Sequence, residues 1–231
     1  MPRSVRLQYL DALGIDSFVL RCAQPAARAG AVRLPGAPDR SSDWQPLQAE
    51  VAACVKCDLH RTRTRTVFGV GNPHADWLVI GEAPGAEEDR QGEPFVGAAG
   101  KLLDAMLQAI GLSRTANVFV ANMLKCRPPG NRNPKPEEIA CCRPYLLRQI
   151  AAIKPKLILA VGRISAQNLL ATDVPLGRLR GRVHEFGPFA TPLIVTYHPA
   201  YLLRSPGEKR KAWEDLKFAR DFFKRNFVPG S

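Results

Sequence analysis

The sequence predicts an α/β fold in which a mainly parallel, four-stranded central sheet is flanked by helices. Three observations carry that reading. Short apolar runs alternate with longer segments of helical periodicity; 45% of the residues are hydrophobic, enough for a proper core; and 231 residues hold one full α/β domain and hardly two. The strand runs are DWLVI (76–80), NVFVA (117–121), LILAV (157–161) and LIVTY (193–197). Runs this short and this apolar read as buried strands, and their alternation with helices calls for parallel pairing through crossover connections.

Helical patterns occupy residues 98–110, 136–153, 164–170 and 208–227. Pro136 followed by Glu137 and Glu138 suits a helix start, where a missing N–H costs nothing and acids favour the dipole. In the last helix Trp213, Leu216, Ala219 and Phe223 are expected to share one core-facing side. Upstream, LQAEVAACVKC (47–57) reads as a helix ending in paired cysteines. The chain divides into an N-terminal peptide and linker, 1–43, and a domain, 44–231. Val5 to Leu20 has the pattern of a short amphipathic helix with Gly14 as a stop. Eleven of the sixteen residues at 23–38 are Ala, Pro or Gly, the composition of a flexible linker.

The formal net charge is +12, of which residues 1–43 supply only +2 from six Arg and four Asp. The excess therefore belongs to the folded body, and a basic globular surface attracts polyanions, nucleic acid first among them. No run reaches the roughly 18 apolar residues that a membrane span needs, and acids interrupt the N-terminal apolar stretch. A cytoplasmic, nucleoid-associated monomer with no membrane partner is expected.

Strand ends are where an open α/β sheet places its ligands. Here the strands finish in Gly81-Glu82-Ala83-Pro84-Gly85, Asn122, Gly162 and His198-Pro199. Glu82, Asn122 and His198 are therefore expected to converge on one crevice although they lie far apart in sequence. Six cysteines complete the inventory. In a reducing compartment they suggest metal or cluster ligation rather than disulfides. Cys54 and Cys57 form a C-x2-C pair; Cys126 follows the second strand, and Cys142 lies in the next helix with fifteen residues between. Four thiolates suit Zn2+ or an iron–sulfur cluster equally by count. Spacing chooses neither the metal nor Cys141 against Cys142, and Cys22 and Cys141 are expected to be free thiols.

Four stretches carry a resemblance: CVKCDLHRTRTRTVFGVG (54–71), GEAPGAEEDRQGEPFVGAAGKLLDAML (81–107), NMLKCRPPGNRNPKPEEIACCRPYL (122–146) and TYHPAYLLR (196–204). In this order they resemble the family 4 uracil-DNA glycosylases, the iron–sulfur type, over roughly residues 44–227. The resemblance implies the three-layer α/β sandwich of that family. It also implies a [4Fe-4S] cluster on Cys54, Cys57, Cys126 and Cys142, with uracil-containing DNA as substrate. The implied reaction extrudes uracil and hydrolyses its bond to the sugar, leaving an abasic site for base excision repair. Cys141, beside Cys142, departs from the family pattern and is an alternative to that one ligand.

The resemblance also implies residue roles. Phe95 is the stacking platform beneath uracil. Asn122 offers one donor and one acceptor, matching uracil O4 and N3–H. Glu88 occupies the space of the C5 methyl that distinguishes thymine. His198 donates to uracil O2, stabilising the departing anion. Related family 1 enzymes place an Asp where this chain has Ala83, so Glu82 is the remaining carboxylate to orient water or support the sugar cation. The loop 199–204 is expected in the minor groove, with Tyr201 and Leu202 as the apolar wedge and Arg204 beside them. Arg61, Arg63, Arg65, Lys125, Arg127 and Arg132 are expected on phosphates.

Two alternatives stand beside this reading. One is a related glycosylase of different lesion range or outcome; relatives that capture the abasic product covalently carry a basic, histidine-containing insertion after the second strand, which KCRPPGNRNP lacks. The other is a non-catalytic metal- or iron–sulfur-containing nucleic-acid-binding protein. Within the N-terminal peptide, LDALGIDSFVLR resembles the N-terminal peptide of psi, a small clamp-loader subunit of DNA polymerase III. That implies docking to a repair or replication protein, against the simpler reading of a terminal helix packed on the body.

Overall fold

The computed structural model describes residues 44–228. The expected helix at 5–20, the linker at 23–38 and Cys22 lie outside the described residues. Helix α1 (Trp44–Ala52) leads through a 3-10 turn, Asp58–Arg61, to the short strand β1 (Val70–Gly71). Then come β2 (Trp77–Gly81), α2 (Ala86–Gln91), α3 (Ala98–Gln108), β3 (Val118–Asn122), α4 (Pro136–Ile153), β4 (Leu157–Val161) and α5 (Arg163–Leu170). The chain finishes with α6 (Leu176–Leu179), β5 (His184–Phe186), β6 (Thr191–Thr196), α7 (Pro199–Arg204) and α8 (Lys209–Phe227).

The six strands form one sheet in the order β1-β3-β2-β4-β6-β5. The inner four, β3-β2-β4-β6, are parallel and coincide with the four expected runs to within a residue or two. Antiparallel β1 and β5 cap the two edges. Neither was legible in the sequence, because runs of two and three residues are too short to display a period.

Every residue of β2, β3 and β4 is buried. Alternate side chains feed two cores, one on each face of the sheet. Leu78, Ile80, Phe119, Ile158 and Val195 join Leu47 and Val51 of α1, Tyr145 and Leu146 of α4, and Leu169 of α5. Trp77, Val79, Val118, Leu159 and Ile194 join Leu103 and Leu107 of α3, Leu202 of α7, and Leu216 and Ala219 of α8. This is a three-layer sandwich, and burial on both faces is why the strands read as continuous apolar runs. Among the described residues no helix is long and apolar enough to cross a membrane.

The core-facing stripe of α8 holds at Leu216, Ala219 and Phe223 and departs from the expected one at Trp213. Ala212, Leu216 and Ala219 are buried, whereas Trp213 is 37% exposed with Lys217 beside its ring. Small Ala212 permits the helix to approach the sheet closely, and the larger indole is turned to the rim. Inside the same helix, Asp215 is buried and takes bonds from Arg180 Nε at 2.7 Å and Thr196 Oγ1 at 2.8 Å. Burial pushes the Asp215 carboxyl up, and Arg180 and Thr196 oppose that shift. Arg180→Ala strands this carboxylate at the junction of β6 and α8. The expected cost is about 3–5 kcal/mol, read as a lower urea midpoint with an unchanged slope.

Candidate active site

The carboxyl ends of the parallel strands meet as expected, and glycines make the meeting possible. Gly81 ends β2 opposite Asn122 in the ladder. A Cβ on Gly81 would lie 2.4 Å from Asn122 Oδ1 and 2.6 Å from Phe95 Cζ. The amide and the ring thus pass directly over the strand terminus, where only a hydrogen fits. Asn122 Oδ1 is buried and, among the described residues, has no hydrogen-bond partner. A buried acceptor left unpaired in a well-packed site calls for a ligand donor.

Phe95 reaches this position through strained backbone, at φ 55°. Arg114 holds it there. Its guanidinium donates to the carbonyls of Pro94 at 3.0 Å and Phe95 at 3.2 Å, while Nε donates to Asp104 at 2.7 Å. On the far side, α3 approaches so closely that a Cβ on Gly100 would sit 1.7 Å from the Phe95 carbonyl oxygen. No local motif marks Arg114 in the sequence; its role exists only once the 94–95 turn folds back onto it.

His198 stands beside Phe95, with ring centroids 5.6 Å apart. Its Nδ1 accepts the Ala200 N–H at 3.1 Å, capping α7. In the neutral imidazole this assigns the proton to Nε2, which becomes a donor. Burial lowers the His198 pKa to about 4, assisted by Arg204 and opposed by Glu88. The ring is therefore neutral at physiological pH. Gly162, at φ 97°, supports it from β4; a Cβ there would stand 2.9 Å from the His198 Cβ.

Glu82 follows β2 and is partly buried, and desolvation raises its carboxyl above the ordinary range against the pull of Arg163. Ala83, next in the chain, packs against the adjoining core. Glu88 is the most heavily engaged of the expected residues. Its carboxylate accepts from the backbone N–H groups of Gly85 at 3.1 Å, Val96 at 3.0 Å and Gly97 at 3.1 Å. It staples the turn after β2 to the turn that carries Phe95. Asp89, also buried, accepts from Thr64 and Arg65 N–H and ties down the basic loop at 61–65.

Two expected DNA contacts, Leu202 and Lys125, need correction, and two more, Arg132 and Arg63, are already paired within the protein. Leu202 is 1% exposed and belongs to the core, so it cannot be a wedge; in helical α7 its neighbours Tyr201 and Leu203 point outward at 38% and 44%. Lys125 is 1% exposed and donates to the Asn122 carbonyl at 2.9 Å, away from any surface. Arg132 is committed to Glu138 through a bidentate pair at 2.9 and 2.5 Å, which closes the turn into α4. Arg63 turns inward to Cys126 Sγ at 3.2 Å. Arg61, Arg65 and Arg204 are exposed, and Arg127 is half-buried and bonded to Asn131.

On the opposite side of the Asn122–Cys126 segment, Cys54, Cys57, Cys126, Cys141 and Cys142 line one small recess. All five are free thiols. Among the described residues no three Cys, His, Asp or Glu side chains converge on a single-ion geometry. The donor set nevertheless suits a thiolate-bound group. Lys56, Arg63 and Lys125 share the lining, and the Lys125 N–H meets Cys142 Sγ at 3.3 Å. Burial pushes the Cys142 thiol up to about 11, and Cys126 and Cys57 upward with it. Neutral thiols crowded beside cations are what a thiolate ligand set looks like before its metal charge is counted.

Residues 68–217 match the family model of the uracil DNA glycosylase superfamily. The type-4 uracil-DNA glycosylase of Archaeoglobus fulgidus is 47% identical over 174 residues, covering 73% of this chain and 87% of the relative. That of Pyrobaculum aerophilum is 42% identical over 180 residues, covering 75% and 91%. That of Thermotoga maritima is 40% identical over 182 residues, covering 78% and 94%. The chain belongs to the type-4 uracil-DNA glycosylases. Every crevice residue of this type-4 glycosylase lies within the superfamily match, whereas Cys54 and Cys57 precede it.

Two outcomes follow for the glycosylase. Because the folded state holds His198 at a pKa of about 4 against an ordinary 6.5, the unfolded chain binds the extra proton between those values. Stability therefore falls as pH drops through that window. Single-turnover excision is expected to show no imidazole titration near pH 6.5; a loss centred there contradicts the buried, neutral ring. Gly162→Ala is expected to displace His198 and lower the single-turnover rate by about tenfold or more, with substrate affinity much less affected.

Proposed function

We propose that this chain excises uracil from DNA by hydrolysing the N-glycosidic bond, leaving an abasic site. The observation that carries the reading is the buried, unpartnered Asn122 Oδ1 over the Phe95 ring, with the Nε2 donor of His198 alongside. A base within a duplex must be extruded to reach such a site. Uracil stacked on Phe95 presents N3–H to Asn122 Oδ1 and O4 to its amide N–H. Cytosine offers the reverse pattern and leaves buried groups unpaired, a mismatch that discriminates by several powers of ten.

Bond cleavage develops positive charge on the sugar and negative charge on the uracil ring. The Nε2–H of His198 donates to O2 and stabilises that anion without first giving up a proton. Water adds its oxygen to the sugar carbon, and its proton offsets the departing uracil anion. Glu82 is the carboxylate placed to support the sugar cation or orient that water, Ala83 having nothing to offer. Glu88 acts by fixing the two turns that frame the pocket, which sets the room left at uracil C5.

For DNA, the outward pair Tyr201 and Leu203 supplies the wedge, and exposed Arg61, Arg65 and Arg204, with Arg127, supply phosphate contacts. Binding is then expected to weaken steeply with salt. Cys54, Cys57, Cys126 and Cys142 would hold a 4Fe-4S cluster, whose contribution is structural cross-linking of α1, the post-β3 segment and α4. The five-thiol recess and its cationic lining support this assignment.

The test is a uracil-containing oligonucleotide followed by alkaline cleavage at abasic sites. Wild-type protein is expected to cleave it, Asn122→Ala and His198→Ala to lose activity by at least about a hundredfold, and iron with acid-labile sulfide to co-purify. No cleavage by iron-loaded wild-type protein would sink the enzymatic reading, and zinc in place of iron would sink the cofactor assignment.

A further inference from the structure

Lys125 touches both the Asn122 backbone and the cysteine recess. Its side chain is 1% exposed, and no carboxylate is among its partners. Nζ makes one hydrogen bond, to the Asn122 carbonyl at 2.9 Å. Its backbone N–H meets Cys142 Sγ at 3.3 Å, and the residue lines the recess with the five described cysteines. A buried ammonium without a counter-charge is costly, and burial here lowers the Lys125 pKa to about 8; an anion alongside restores the charged form. The groups facing Lys125 that can carry negative charge are the thiols of Cys142 and Cys126. A cluster bound by four thiolates carries net negative charge and supplies that compensation.

We propose that Lys125 is a positioning residue that couples the occupied cysteine recess to Asn122. With the cluster in place, the ammonium is held between the thiolates and the Asn122 carbonyl. That second anchor, beyond the ladder pairing with Gly81, fixes where the amide stands over Phe95. The cluster then contributes to base recognition as well as to folding. This rests on the 4Fe-4S reading of the recess given above.

The test compares wild type with Lys125→Met, which keeps an apolar stem of similar length and removes the charge and the donor. Binding is measured to oligonucleotides carrying one non-cleavable 2′-fluorinated deoxyuridine, and to the cytidine counterpart. The preference for uracil over cytosine is expected to fall about tenfold, the worth of one buried charged hydrogen bond. Binding to the cytosine strand should be unchanged, and the cluster's reduction potential should become more negative. A variant with intact iron content, unchanged preference and unchanged potential overturns the proposal while leaving the cluster assignment standing. Wild-type protein that contains no iron overturns both. Should Lys125→Met fail to fold, anaerobic chelation of the wild type decides. Uracil preference must fall with iron release while circular dichroism still reports folded protein; retained preference in folded, iron-depleted protein overturns the coupling.

Discussion

Strand β2 is hydrogen-bonded on both sides, to β3 from Trp77↔Val118 to Gly81↔Asn122 and to β4 from Trp77↔Leu157 to Ile80↔Ala160. The positions of the site residues are measured from that double pairing. A slip of one residue would exchange the two faces of each strand and force side chains fitted to one core into the other, so the two cores hold the register tightly. With the register held, Asn122 must stand beside Gly81, and the glycine leaves room for the amide and the Phe95 ring to overlie the strand end. The crevice is thus a by-product of packing, and its precision comes from the rigidity of a sheet buried on both faces.

Polar groups around the crevice divide into those that wait and those that hold. Among the described residues Asn122 Oδ1 has no hydrogen-bond partner, and His198, capped through Nδ1, keeps Nε2 as its donor; these are the atoms the proposed reading gives to the base. Glu88, Arg114 and Asp89 are saturated with bonds to backbone, and they keep the surrounding turns in place. The strain at Phe95 belongs to the same scheme. A positive φ at an aromatic residue persists only where neighbours over-determine it, and here a guanidinium clamp on one side and a helix without a Cβ on the other do so.

The cysteine recess lies on the other side of the segment that runs from Asn122 to Cys126. Its cysteines come from three places that the fold must first assemble: the segment after α1, the turn after β3 and the second turn of α4. Buried, neutral thiols beside Arg63 and Lys125 are an unsettled electrostatic arrangement. A thiolate-bound group resolves it by giving both cations an anion to face.

The sequence by itself determined the four parallel strands, the helices between them, and the placing of Asn122 and His198 at one strand-end crevice, because hydrophobic periodicity and strand-end chemistry are local signals. The order of long motifs likewise identified the family. Only the tertiary structure decided which way each side chain faces within its element. Leu202, expected outward, is buried, and Trp213, expected in the core, lies at the rim, since the depth to which α7 and α8 press on the sheet is a property of the whole core. Lys125, Arg63 and Arg132 looked like phosphate contacts, because positive charge in sequence carries no sign of inside or outside. Their partners, Asn122, Cys126 and Glu138, became visible only after the loops closed. Arg114 had no signal at all, since the carbonyls it holds lie about twenty residues away and exist as a target only in the folded turn.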